Sequence, residues 1–215
     1  EQVTRTRGIL YPVGIGPLGV EVTRDFPVLT DNGYTEAGDV ESGGLFYKQR
    51  SHALFGTVNM AQHWRHTYDL NYGKRIYPYV LAIADFWEDF LKFEDGQYQI
   101  YEDAENEKSG FCKNPGMSIA LLKNALELAI DLSKALKKDK ERQTKWQDII
   151  DHLRGLPTWE RRGKHFLRGA EEDEKGRQVF GVSFSMIYPA NGVTLNSDSI
   201  LLAAGLNTVD AIQQW

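Results

Sequence analysis

Tyr101-Glu102-Asp103-Ala104-Glu105-Asn106-Glu107 places four carboxylates within six residues, between two stretches with helical patterning. Like charges disfavour one another's ionisation, so one carboxyl in such a cluster can keep its proton near neutral pH and act as a general acid. Protonating a leaving oxygen in this way is what cleavage of a glycosidic bond requires. Spacing alone leaves two other uses open, a solvated acidic loop and a calcium-binding one.

Other patterns carry less chemistry. Gly14-Ile15-Gly16-Pro17-Leu18-Gly19 has the glycine spacing of a dinucleotide-binding loop, and Asp39 lies where a ribose-binding acid would be sought. That loop needs a strand before it and a helix opening after it. Pro12 interrupts the first, and the strand-like alternation Val20-Glu21-Val22-Thr23 replaces the second, so nucleotide binding is not expected. His63 and His66 stand three apart on one helical stretch without a cluster of further ligands, and no metal site is assigned. Cys112 is the single cysteine, which excludes an intrachain disulfide and leaves it a structural role.

The elements that must hold the acidic loop are helical. Leu54, Val58, Ala61, Arg65 and Tyr68 fall on one face of a first helix. Pro78 fits the first position of a second helix, which continues through Val80, Ile83, Trp87, Phe90 and Leu91 and ends near Asp95-Gly96. Gln97 to Tyr101 alternates like a short strand. Asn114-Pro115-Gly116 then introduces the strongest helix, with one stripe at Ile119, Leu122, Leu126, Ala129 and Leu136 and another at Leu121, Leu128 and Leu132. Two stripes imply a helix covered on two sides.

The charge run Lys134 to Lys145 reads as a solvated helix end and turn, followed by a fourth helix through Trp146, Ile149, Ile150 and Leu153. Gly155 and Pro157 stop it. Thr158 to Asn191 breaks into polar turns and short β-like pieces such as Val182-Ser183-Phe184. A last helix capped by Ser197 or Asp198 runs through Ile200, Leu201, Ala204, Val209 and Ile212 toward Trp215. The segment from Phe26 to Gln49 reads as a long loop.

Composition bounds the rest. The 215 residues suffice for one domain, and 30 acidic against 25 basic side chains give a net charge of -5. That balance argues against nucleic acid as a partner. No apolar run approaches the roughly 20 residues that span a bilayer. Five Trp, ten Tyr and ten Phe serve a core or stack on sugar rings, and Trp64 and Trp87 are assigned to the core. The absence of an initiator Met before Glu1-Gln2-Val3-Thr4, and a helical pattern reaching Trp215, are expected of a piece of a longer parent.

Several ordered features together resemble one family. Gly8 and the turn-rich stretch after it are followed by Ala61-Gln62-His63-Trp64-Arg65-His66-Thr67-Tyr68-Asp69, then by Tyr77-Pro78-Tyr79-Val80 and the E-D-A-E-N loop. Ser183-Phe184-Ser185-Met186-Ile187-Tyr188-Pro189 comes later and again precedes a helix. The order resembles the catalytic domain of six-hairpin glycosidases, in particular the family 95 glycoside hydrolases, whose members include α-L-fucosidases. The family's S-P-E-N loop carries the general acid, and its match Asp103-Ala104-Glu105-Asn106 implies that role for Glu105. Asp103-Ala104 stands where the family has serine-proline, and the histidines that surround its later serine stretch are absent around Val182 to Met186.

The resemblance implies a mainly α chain, part of an (α/α)6 toroid with short β elements in its loops, spanning 1–215 as a portion of one catalytic domain. It implies an inverting, exo-acting glycoside hydrolase for α-linked sugars such as α-L-fucosides. Glu105 would be catalytic, with Asn106, Glu102, Asp103 and Tyr101 as neighbours that bind substrate or tune its pKa. The partner is a carbohydrate, no cofactor is called for, and a secreted or periplasmic setting is implied. A non-catalytic sugar-binding or scaffold unit, and a toroid lyase or phosphorylase, are the alternatives. The base that activates water is not assigned.

Overall fold

The computed structural model describes residues 6–9, 11, 29–30, 33–34, 49–105, 112–173 and 183–212. The glycine motif 14–19, Asp39, the alternation 20–23 and most of the loop 26–49 lie outside these residues. Within that loop, β1 (Leu29–Thr30) and β2 (Gly33–Tyr34) pair antiparallel.

Apolar side chains at helical spacing form α1 (His52–Thr67), which buries Ala53, Leu54, Val58, Ala61 and Trp64. The buried stripe drifts from the expected one. Arg65 and Tyr68 are exposed, and Trp64 turns inward with its Nε1–H donated to Asp131 Oδ2 at 3.0 Å. Tyr68 ends the helix in the left-handed region at φ 48°.

Asp69 then caps α2 (Leu70–Phe90), accepting from the Asn71 N–H at 2.8 Å. The second helix therefore starts at Leu70, and Pro78 lies inside it rather than at its first position. The capping carboxylate sets the start, and buried Tyr77, Val80, Ile83 and Trp87 hold the helix across the proline by packing. Trp87, like Trp64, is core. Gly8, at φ 79°, lets the N-terminal segment lie on this helix: the Ile9 N–H donates to Ala82 O at 3.1 Å, and a Cβ on Gly8 would fall 2.0 Å from that oxygen.

After α2 come β3 (Lys92–Glu94) and β4 (Gln97–Gln99), an antiparallel hairpin turned by Asp95 and Gly96, both at positive φ. Next are β5 (Cys112–Pro115) and α3 (Gly116–Leu136). Both expected stripes of α3 are buried except for the half-buried Leu136 at its end, because the helix is packed against α1, α2 and α4 (Lys140–His152). It is the central helix of the described residues.

Most of the charge run is exposed, as its composition implies, but Arg142 is half-buried. Only Lys137 to Asp139 link α3 to α4, and the cations of α4 reach back across the fold. Arg142 meets Asp85 Oδ1 at 2.7 Å and Glu88 Oε1 at 2.6 Å and lies 4.9 Å from the Trp146 ring centre, while Lys145 donates to Tyr98 OH at 2.6 Å. Arginine can pack its flat face on a ring while its fork meets carboxylates, which binary charge patterning does not register.

The chain continues as a hairpin of β6 (Thr158–Arg161) and β7 (Lys164–Leu167), then β8 (Ala170–Asp173), antiparallel to β5. At the serine stretch the structure has a 3₁₀ turn, Phe184–Met186, in place of the expected strand, and Val182 lies outside the described residues. Asp198, not Ser197, caps α5 (Ser199–Ala211) by accepting from Ile200 and Leu201. Ser197 Oγ instead accepts the Thr194 N–H. Among the described residues the chain is thus mainly α, with five α-helices and short strands, and no helix is long and apolar enough to cross a membrane.

Candidate active site

The acidic loop leaves β4 and is fastened at once by Asn114. The Ile100 N–H donates to Asn114 Oδ1 at 2.7 Å, and the Asn114 N–H donates to Ile100 O at 2.8 Å. Asn114 Nδ2 donates to Gln99 Oε1 at 2.6 Å and to Glu171 Oε2 at 2.7 Å. Its own backbone sits at φ 52°, a region asparagine tolerates better than most residues.

Glu171 is in turn held by Arg154 through two bonds of 3.0 Å. Burial pushes the Glu171 carboxyl up, but Asn114 and Arg154 outweigh it and hold the acid below the usual carboxylate range. The Asn114→Ala variant removes this hub and is expected to lose about 3 kcal/mol of stability in urea denaturation.

Beyond that hub the side chains of the loop divide. Tyr101 is half-buried and donates to Glu94 Oε2 at 2.6 Å. Glu102, at φ 54°, is exposed. Asp103, Ala104 and Glu105 are withdrawn from solvent, at 0%, 0% and 1% exposure. Asn106 and Glu107 lie outside the described residues.

Asp103 is tied on two sides. Its carbonyl accepts the Cys112 N–H and its Oδ1 accepts the Arg50 N–H, both at 2.7 Å. Its Oδ2 has no hydrogen-bond partner among the described residues. Burial pushes the Asp103 carboxyl up to about 6, against the opposing pull of Ser118 and Arg50.

The Glu105 carboxyl lies directly on the backbone of Gly169, in the turn between β7 and β8. A Cβ at that position would fall 1.4 Å from Glu105 Oε1 and 2.1 Å from its carboxyl carbon. Gly169 O accepts the N–H of Gly116, the first residue of α3, at 2.8 Å. Met186 of the serine stretch reaches the same place, since a Cβ on Gly116 would meet its sulfur at 2.2 Å. The first turn of α3 thus gathers the acidic loop, the Gly169 turn and the serine stretch, which are far apart in sequence.

Asp103 and Glu105 are thus buried at the start of α3, while Glu102 and Tyr101 stand nearer the solvent. Sequence reasoning missed Gly169, for which Arg168-Gly169-Ala170 gives no signal, and took Asn114 only as a helix introducer. His63 and His66 do not share a site. His63 packs on the Tyr72 ring with centroids 4.1 Å apart, and His66 Nδ1 lies 2.7 Å from Gln62 O. Cys112 is buried in β5.

A family model described as the glycosyl hydrolase family 95 catalytic domain matches residues 38–211. No curated protein matches the chain.

Proposed function

The chain belongs to the glycosyl hydrolase family 95 catalytic domain, a family of glycoside hydrolases, and on that premise we propose that Glu105 is the general acid of an inverting reaction. The proton of Glu105 passes to the glycosidic oxygen as its bond to the anomeric carbon breaks. Water attacks from the opposite face and gives its proton to a second carboxylate, which the inverting geometry puts about 6.5–9.5 Å from the first. The substrate is an α-linked terminal sugar such as an α-L-fucoside. Asn106, Glu102 and Tyr101 contact its hydroxyls, and Asp103 belongs to the same loop. The hairpins α1/α2 and α3/α4 belong to an (α/α)6 toroid.

The observation that supports this reading is the placement of Glu105, 1% exposed and with its carboxyl on Gly169. A non-catalytic scaffold with a merely solvated acidic loop calls for Glu105 in bulk solvent. The test is proton NMR of the intact enzyme acting on an aryl α-L-fucoside and related α-glycosides. The expected first product is the β-anomer of the free sugar. An α-anomer formed first, or no hydrolysis of any α-glycoside, overturns the reading.

A further inference from the structure

Asn124 stands on α3 among buried apolar neighbours, Leu121, Leu122, Ala125 and Leu126. It is 5% exposed, and its Oδ1 has no hydrogen-bond partner among the described residues. A buried amide oxygen without a partner costs free energy that an apolar side chain of similar size avoids. Packing alone therefore gives no reason for asparagine at this position.

Asn124 lines a cavity of about 510 Å³, a size ordinary for small-molecule sites. One wall is the face of α3 that carries Ala120, Lys123, Asn124 and Glu127 at helical spacings of three and four. The rest of the lining comes from the chain between Ala190 and Leu201, with Arg65 of α1. This chain is pressed onto α3, since a Cβ on Gly192 would fall 2.6 Å from the Ala120 Cβ. It is also tied to itself: the Thr194 N–H donates to Ser197 Oγ at 3.0 Å, and the Asn196 N–H donates to Thr194 Oγ1 at 3.2 Å. A lining fixed in this way loses little freedom when a ligand arrives.

The side chains select the ligand class. Two cations, Arg65 and Lys123, stand against two anions, Glu127 and Asp198. Arg65 Nη2 and Glu127 Oε2 lie 3.6 Å apart, and Asp198 Oδ1 is taken up by the N–H groups of Ile200 and Leu201. A balanced lining exerts little pull on a phosphate or a metal ion. The amides of Asn124, Asn191 and Asn196 place donors beside acceptors, which suits hydroxyl groups that are themselves both. Ala120, Ala190 and Leu201 leave apolar surface for C–H groups.

We propose that this cavity is a second saccharide-binding site, which takes one neutral sugar unit with Asn124 as its buried anchor. A sugar hydroxyl meets the amide that the fold leaves unpaired, and a half-turn of that amide brings either end to the cavity. The site is separate from Glu105. Asn124 lies about 12 Å along α3 from Gly116, and neither the acidic loop nor the Gly169 turn contributes to the lining. Its occupancy does not depend on Glu105 being the acid. A further unit of the substrate's own chain and a separate saccharide offer the same chemistry, and kinetics tell the two apart.

The test is equilibrium titration of the intact enzyme with L-fucose, D-galactose, D-glucose and D-xylose, which have no glycosidic bond to cleave. Wild type, Asn124→Leu, Asn196→Ala and Glu105→Gln are compared. At least one sugar is expected to saturate a site whose affinity falls about tenfold in Asn124→Leu and in Asn196→Ala, the loss of a hydrogen bond or two, and stays at the wild-type value in Glu105→Gln. Asn196, on the exposed loop, covers a failure of Asn124→Leu to fold. Binding of none of the four sugars, affinity equal to wild type in whichever of the two variants folds, or affinity lost in Glu105→Gln as well overturns the proposal. Where the site is confirmed, Asn124→Leu assigns its source. A bound unit of the substrate chain raises KM for an α-linked trisaccharide about tenfold more than KM for an aryl α-glycoside, whereas a separate saccharide leaves the ratio of the two at its wild-type value.

Discussion

Replacing Glu105 by glutamine is expected to lower kcat/KM for an α-glycoside with a sugar or alkyl leaving group by about a thousandfold, with little change in thermal stability. Glutamine keeps the length and shape of the side chain and both of its polar ends, so it can still lie on Gly169. What it lacks is a proton to give. An alkoxide leaving group departs slowly unless its oxygen is protonated as the bond breaks, and removing a well-placed acid costs 10² to 10⁴ in rate as an order of magnitude. The loss should appear in kcat and in kcat/KM together, since the interaction forms only as the oxygen becomes basic. A change confined to KM would make Glu105 a binding residue.

The second large effect is expected from a residue with no functional group. Gly169→Ala places a methyl 1.4 Å from Glu105 Oε1 and 2.6 Å from Oε2, so the carboxyl must move off its seat. Gly169 is not among the described glycines at positive φ, so alanine meets no backbone penalty there. The variant should fold, with its melting temperature lowered by only a few degrees, while kcat falls by about a hundredfold, the effect of displacing a reacting group by about 1 Å. Steady-state kinetics alongside thermal melting check this. A variant that melts far below wild type yet shows normal kcat per folded molecule would make Gly169 a packing residue only.

These two positions mark how far sequence reasoning reached. Glu105 is singled out in the sequence because an acidic cluster sits between two helical stretches and because Asn106 follows it in a resembled pattern; its burial comes only from the structure. Spacing could not foretell that the cluster would divide, with Glu102 turned out at φ 54° and Asp103 and Glu105 turned in. That division goes with the bridge from Asp103 to Cys112 just after the loop and with the contact to Gly169, which is distant from it in sequence. Helix α3 was read correctly because two apolar stripes repeat along it.

The start of α2 was misplaced because Pro78 is the louder signal, while the cap is one aspartate after a left-handed tyrosine. Arg142 was taken for a solvated charge because nothing local reveals that Asp85, Glu88 and Trp146 surround it. At α2 a local cap outweighs the proline, and at Arg142 a polar side chain finds partners far along the chain.

The most direct measurement of the central claim uses two substrates and one variant. An α-glycosyl fluoride loses its leaving group without help from an acid, whereas an alkyl α-glycoside does not. If Glu105 donates the proton, Glu105→Gln should hydrolyse the fluoride within about tenfold of the wild-type rate while its rate on the alkyl glycoside falls about a thousandfold. Equal losses on both substrates, or no loss on either, would contradict the assignment of Glu105 as the general acid.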